Sequence, residues 1–216
     1  MKFNKIVALA FAAVLGFGAQ TANAQSLSPS TKWHWDKGTI VVETPARPAG
    51  QKNVLGLKLP KYKTVRIGLV GLGMRGPGAV DNFCVLPGVE IVALCDFVEA
   101  RAVAQNEKLR KRGLPPAAIY SGENGYKELC ARPDIDLVYI ATDWAHHFPV
   151  AECALKHGKN VADEVPSAMN LEECWKLVDL SEKMQKNCMI LENCCYDWFE
   201  MRTLNMAQHG VFGEIL

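Results

Sequence analysis

The run Val65-Arg66-Ile67-Gly68-Leu69-Val70-Gly71-Leu72-Gly73-Met74-Arg75-Gly76 decides how the rest of the chain is read. Its first half is apolar and short enough for a buried parallel strand, and it passes straight into G-x-G-x-x-G. Pro77 to Cys84 continues it as a helix. In such a unit the first glycine makes the tight turn, the second lets backbone approach a pyrophosphate, and the third lets helix and strand pack closely. The N–H groups and dipole of the helix start then hold the phosphates. A bare glycine motif is a weak signal. Here a strand precedes it, a helix follows it, and an acid closes the next strand.

That acid is Asp96, at the end of the second apolar strand, Val89 to Cys95. A carboxylate in this place accepts hydrogen bonds from the adenosine ribose hydroxyls and repels a 2′-phosphate, so NAD is expected over NADP. Arg75, within the loop, works partly against that preference. Glu99 to Arg112 reads as a helix whose alternating charges form a solvated face, stopped by Gly113-Leu114-Pro115-Pro116. Tyr126 to Cys130 is a short helix, and Ile135 to Ala141 a third strand. Ligands of open α/β sheets lie beyond the strands' carboxyl ends, which makes Thr142 to His147 the next site candidate. His146 and His147 open a helix that runs to His157 and stops at Gly158. Asn160 to Asp163 is a fourth strand, Leu171 to Lys186 a helix with a capping box from Asn170 and Glu173, and Cys188 to Leu191 the last strand. Alternation of this kind predicts an α/β fold with a Rossmann-type doubly wound parallel sheet.

The remaining composition narrows the classes. With 216 residues, 49% of them hydrophobic, and a formal charge of +1, the chain has no basic field to attract nucleic acid. Lys2 and Lys5, the apolar run Ile6 to Phe17, and Ala22-Asn23-Ala24 have the order of a cleavable secretory signal over residues 1–24, with Gln25 as the mature start. The apolar run is too short for a comfortable bilayer span, so no stable membrane anchor is expected. Residues 25–63, rich in Pro, Gly, Lys and Ser and holding the Trp33-His34-Trp35 cluster, read as an arm lying over the domain with no fold of its own. Most of the eight cysteines fall singly inside apolar-periodic segments, as small buried thiols do. No pair of C-x-x-C units appears, and no metal site is expected.

These landmarks resemble the Gfo/Idh/MocA oxidoreductase family. Its T-P-x-x-x-H segment corresponds to Thr142-Asp143-Trp144-Ala145-His146-His147, and its G-K-x-V-x-x-E-K-P to Gly158-Lys159-Asn160-Val161-Ala162-Asp163-Glu164-Val165-Pro166. Two positions depart: Asp143 stands for the proline and Val165 for the lysine that, in family dehydrogenases, helps the reacting hydroxyl lose its proton. The valine variant is similar to glycoside hydrolase family 109, the NAD-dependent α-N-acetylgalactosaminidase group. The match runs from Arg47-Pro48-Ala49-Gly50-Gln51-Lys52 through Glu172-Glu173-Cys174-Trp175 and Leu191-Glu192-Asn193-Cys194-Cys195-Tyr196-Asp197 to Gly213-Glu214-Ile215.

The resemblance implies a cofactor site of Gly71, Gly73, Met74, Arg75, Gly76, Asp96, Trp144, His147, Glu164, Val165 and Asn193. It also implies transient oxidation at the sugar C3, elimination of the glycosidic group, addition of water, and NAD regenerated in each turnover. The partner would be a glycan ending in N-acetylgalactosamine or a similar sugar. On this reading residues 64–195 form the NAD-binding Rossmann domain, and residues 196–216 are a linking helix and the truncated start of a second α/β substrate domain. The catalytic base would lie beyond Leu216. A sugar oxidoreductase of the broader family, or a nucleotide-binding fragment without activity, are the alternatives, and homo-oligomerisation is left open.

Overall fold

The computed structural model describes residues 33–42 and 46–214, so the expected leader at 1–24 lies outside the described residues. The chain divides into two compact units, the second beginning at Pro45. In the first, β1 (Trp33–Asp36) pairs antiparallel with β2 (Thr39–Val42). Lys37 and Gly38 both take positive φ, 48° and 86°. Two such residues make the tight hairpin connection whose twist suits the strands. The arm therefore contains a hairpin that its aperiodic sequence did not announce.

The second unit is built on six parallel strands. They are β3 (Val65–Val70), β4 (Val89–Asp96), β5 (Ala118–Ser121), β6 (Leu137–Ile140), β7 (Asn160–Asp163) and β8 (Cys188–Ile190), in the order β5-β4-β3-β6-β7-β8. That order is the doubly wound one, with the chain reversing direction across the sheet between β3 and β6. Edge strand β5 was not expected: Ala118-Ile119-Tyr120-Ser121 is too short and too weakly apolar to stand out after Pro115-Pro116. The helices are α1 (Gly76–Phe83), α2 (Glu99–Lys111), α3 (Gly125–Ala131), α4 (Trp144–Lys156), α5 (Leu171–Met184) and α6 (Trp198–Gln208), with a 3-10 turn at Asn193–Tyr196. The expected strand start at Glu214 runs into residues outside the described range.

Because successive strand residues point to opposite faces, the sheet carries two cores. On one face Val138, Ile140 and Val161 meet Leu129, Val150, Ala154 and Leu177 of α3, α4 and α5. On the other, Ile67, Leu69, Ile91 and Tyr139 meet Val80 of α1 and Ala102 and Leu109 of α2. The cysteines divide more widely than expected. Cys95 and Cys130 are buried and Cys84, Cys153 and Cys188 half-buried, but Cys174 is exposed on α5, as are Cys194 and Cys195. Cys174 sits on the polar side of an amphipathic helix, where a helical period gives no core contact.

Helix starts explain two local choices. Asn170 accepts the N–H of Glu173 at 2.9 Å and caps α5, while the Glu173 carboxylate reaches back to the N–H of Met169 at 2.7 Å. Asp143 accepts the N–H of Ala145 at 3.0 Å, so the acid that replaces proline is the cap of α4. From the arm, Arg47 forks onto Glu182 of α5 at 2.7 and 2.8 Å and Gln51 joins it at 2.9 Å, which fixes residues 47–51 against that helix.

Candidate functional site

The sheet's switch point places the carboxyl ends of β3 and β6 side by side, and the turn at Gly71 must pass between them. Gly71 holds φ +91°, and a Cβ there would run into the Ala141 backbone and come within 2.6 Å of the Thr142 nitrogen. Gly76 serves a second close approach: a Cβ would strike the Gly71 carbonyl. Only glycine lets strand, turn and α1 meet this tightly. No side chain caps α1 among the described residues, and in its first turn Pro77 has no N–H while Gly78 donates to the Arg75 carbonyl at 3.1 Å, so the helix start offers an anion chiefly its positive dipole end.

Asp96 braces this turn from the neighbouring strand. One carboxylate oxygen accepts the Leu72 N–H at 2.7 Å, the other the Val98 N–H at 2.8 Å, and the Arg101 guanidinium stands 3.3 Å from the second. Asp96 is 5% exposed, yet a carboxylate has about four acceptor positions, which leaves capacity for a ribose hydroxyl. Arg101 was read as part of a solvated face; α2 instead turns it back onto Asp96.

A cavity of about 1040 Å³ opens over these strand ends. That is at the upper end of the range of ligand sites, about 300–1,000 Å³. Gly71, Gly73, Met74, Arg75, Asp96, Trp144, His147, Glu164 and Val165 line it. Gly76 does not, since it is spent on packing. Nor does Asn193, which acts through Arg75: its Oδ1 accepts from the guanidinium at 3.1 Å. Arg75 also lies 3.7 Å from Glu164, whose Oε1 accepts the Tyr139 hydroxyl at 2.8 Å. Met74 and Trp144 stand clear of the protein, 94% and 63% exposed, as apolar surfaces at the rim. Phe97, Arg101, Gly122, Glu123 and Tyr126 join the lining without having been expected. The last three follow the unrecognised β5, so finding that strand would have found them.

His147 forms the floor. Its Nδ1 is 2.7 Å from the Pro166 carbonyl and its Nε2 is 3.1 Å from the Thr142 carbonyl. Carbonyl oxygens only accept, so both contacts are complete when the ring is an imidazolium. Asp163, fully buried at the end of β7, lies 3.4 Å from Nδ1. Neither Asp163 oxygen completes a hydrogen bond among the described residues. Burial pushes the Asp163 carboxyl up to about 7, against the pull of His147.

Fold and site together define a dinucleotide-binding α/β domain of the Rossmann type. Residues 65–192 match the family model described as "Oxidoreductase family, NAD-binding Rossmann fold", and the chain belongs to this Gfo/Idh/MocA family. Its cofactor is NAD, and the glycine turn, the start of α1 and the braced Asp96 fit that group.

The chain is 68% identical over 197 residues to "Glycosyl hydrolase family 109 protein 5" of Phocaeicola vulgatus, covering 91% of this chain and 38% of that protein. It is 57% identical to the family 109 protein of Porphyromonas gingivalis, covering 88% and 42%. The chain thus spans about two fifths of the length of these curated relatives. Among solved structures, myo-inositol dehydrogenase from Lactobacillus casei in complex with NAD(H) and myo-inositol aligns at a TM-score of 0.63 and 27% identity, over 71% of this chain and 44% of that one.

Proposed function

We propose that the chain is the NAD-binding part of an exported glycosidase acting on glycans that end in N-acetylgalactosamine or a similar sugar. The observation that carries this reading is Val165. It lines the cavity, 42% exposed, at the place where the resemblance puts a dehydrogenase lysine. The cations among the lining residues are Arg75 and Arg101, each beside a carboxylate. Position 165 thus differs from a family dehydrogenase at the place where the resemblance puts the lysine beside the reacting hydroxyl. The named similarity to family 109 proteins supports the same choice.

When bound, NAD supplies reversible hydride storage, which lets a sugar carbon be oxidised, the glycosidic group eliminated and water added with no net redox change. The chain's own residues orient the ligand. The glycine turn and the start of α1 would hold the phosphates and Asp96 the ribose, while Arg75, tied to Glu164 and Asn193, closes the side of the cavity. His147 carries the floor against Asp163. A base removes the C2 proton in this scheme, and export is assigned to cleavage after Ala24.

The test is turnover of an N-acetylgalactosaminide in heavy water by the protein expressed from its complete reading frame. Deuterium at C2 of the released sugar, with no net NAD reduction, is the expected result. Unlabelled sugar overturns the mechanism, and accumulating reduced cofactor favours a sugar oxidoreductase, the reading that the inositol dehydrogenase likeness supports. Mass spectrometry of the exported product should find Gln25 at its terminus; an intact Met1 overturns export.

A further inference from the structure

The cation that faces Asp96 is not the one within the glycine turn. Arg75, expected to work against the Asp96 charge, turns the other way, to Glu164 just past β7 and to Asn193 beyond β8. Arg101, in the first turn of α2, stands beside the acid in its stead. Its Nη1 is 3.3 Å from the Asp96 carboxylate, and a Cβ added to Gly73 would lie 3.7 Å from that same nitrogen. The guanidinium thus sits between the acid that closes β4 and the second glycine of the turn. Those two features flank the adenosine ribose and the pyrophosphate of a bound dinucleotide.

This cation is not spent on its neighbour. Where guanidinium groups of the chain are committed to a carboxylate, they fork onto it with two bonds: Arg47 onto Glu182 at 2.7 and 2.8 Å, Arg66 onto Asp136 at 2.9 and 2.8 Å. Arg101 makes one contact, at 3.3 Å, and among the described residues no other acceptor takes its N–H groups. Its side chain is 54% exposed and lines the cavity. Asp96, for its part, gives its two short bonds to the backbone N–H groups of Leu72 and Val98, at 2.7 and 2.8 Å. The carboxylate is held by backbone, and a planar guanidinium fork, the group best matched to a phosphate, keeps most of its donors. The acid alone would repel a phosphate on the ribose 2′-oxygen. Beside Arg101 the pair carries no net charge, and Glu123, exposed past β5, is the other carboxyl lining this side.

We propose that Arg101 is a cofactor-specificity residue: its guanidinium receives the 2′-phosphate of NADP, so that the chain binds NADP as well as NAD. With NAD the ribose hydroxyls face Asp96 and Arg101 stays beside that carboxylate. With NADP the phosphate takes the remaining guanidinium N–H groups, and attraction to Arg101 offsets repulsion from Asp96. The inference rests on the dinucleotide site alone and is independent of the glycosidase reading.

The experiment is calorimetric titration of the full chain with NAD and with NADP, at low and at physiological salt. The unaltered chain should bind the two within about tenfold of each other. Added salt should weaken NADP more than NAD, since the extra contact joins two charges. Arg101→Ala should weaken NADP by about tenfold more than it weakens NAD, and Arg101→Lys, which keeps the charge and loses the fork, should fall between. A preference for NAD of more than about tenfold in the unaltered chain, or equal losses of both nucleotides in Arg101→Ala, overturns the inference and leaves the NAD site standing. Failure to bind either nucleotide overturns the site and the inference together.

Discussion

The Asp163 carboxylate lies 3.4 Å from Nδ1 of His147, and both side chains are buried beneath the cavity. The burial raises the folded-state pKa of Asp163 from 3.8 to about 7. A group with a raised folded pKa contributes its stability fully below the unfolded value and loses it as pH rises through the folded one. Urea unfolding of the chain should therefore show this contribution lost between about pH 4 and pH 7, by a few kcal/mol at ~1.4 kcal/mol per unit. In Asp163→Asn the loss over that window should shrink, since the titrating group is gone. Parallel profiles of the two proteins would contradict the assignment.

Gly71→Ala should destabilise the chain by at least about 2 kcal/mol, because it combines a strained φ with backbone collision at Ala141 and Thr142. NAD binding should fall below detection in calorimetry. Gly78→Ala is the control. A Cβ there meets nothing within 4 Å inside α1, and the change should be neutral or stabilising by about 0.5–1 kcal/mol.

Removing the Asp96 side chain leaves the N–H groups of Leu72 and Val98 without their acceptor and Arg101 without its partner. Asp96→Ala should weaken NAD binding by about tenfold or more, the effect of ~1.4 kcal/mol. NADP should weaken less, since the freed Arg101 suits a 2′-phosphate. Titration of both proteins with both nucleotides measures the change in ratio.

Arg47→Ala should release residues 47–51 from α5, since the guanidinium supplies two of their bonds to Glu182. Amide exchange in this segment should quicken while that of β3 and β6 stays slow. Uniformly faster exchange would show the anchor to be part of the core.

How much was legible follows from where each signal resides. Five of the six parallel strands, the glycine turn and the position of Asp96 can be read along the chain. Buried parallel strands are short apolar runs, and the handedness of βα crossovers leaves few ways to arrange them. The short edge strand β5 carries only four residues, three half-buried and Ser121 exposed, so its weak pattern hid Gly122, Glu123 and Tyr126 as well. Arg101 and Asn193 show the same limit at the level of side chains. One looked like a solvated charge and turns onto Asp96; the other, expected at the cofactor, holds Arg75.

The sequence by itself determined the fold class, the cofactor class and the substitution of Val165 for lysine, because each is a property of neighbours in the chain. Only the tertiary structure decided that Asp163 sits beneath His147, that Gly76 packs against Gly71, and that Arg101 turns onto Asp96. Those pairs come from different elements, and the distance between them is set by how strands order and helices pack across the sheet.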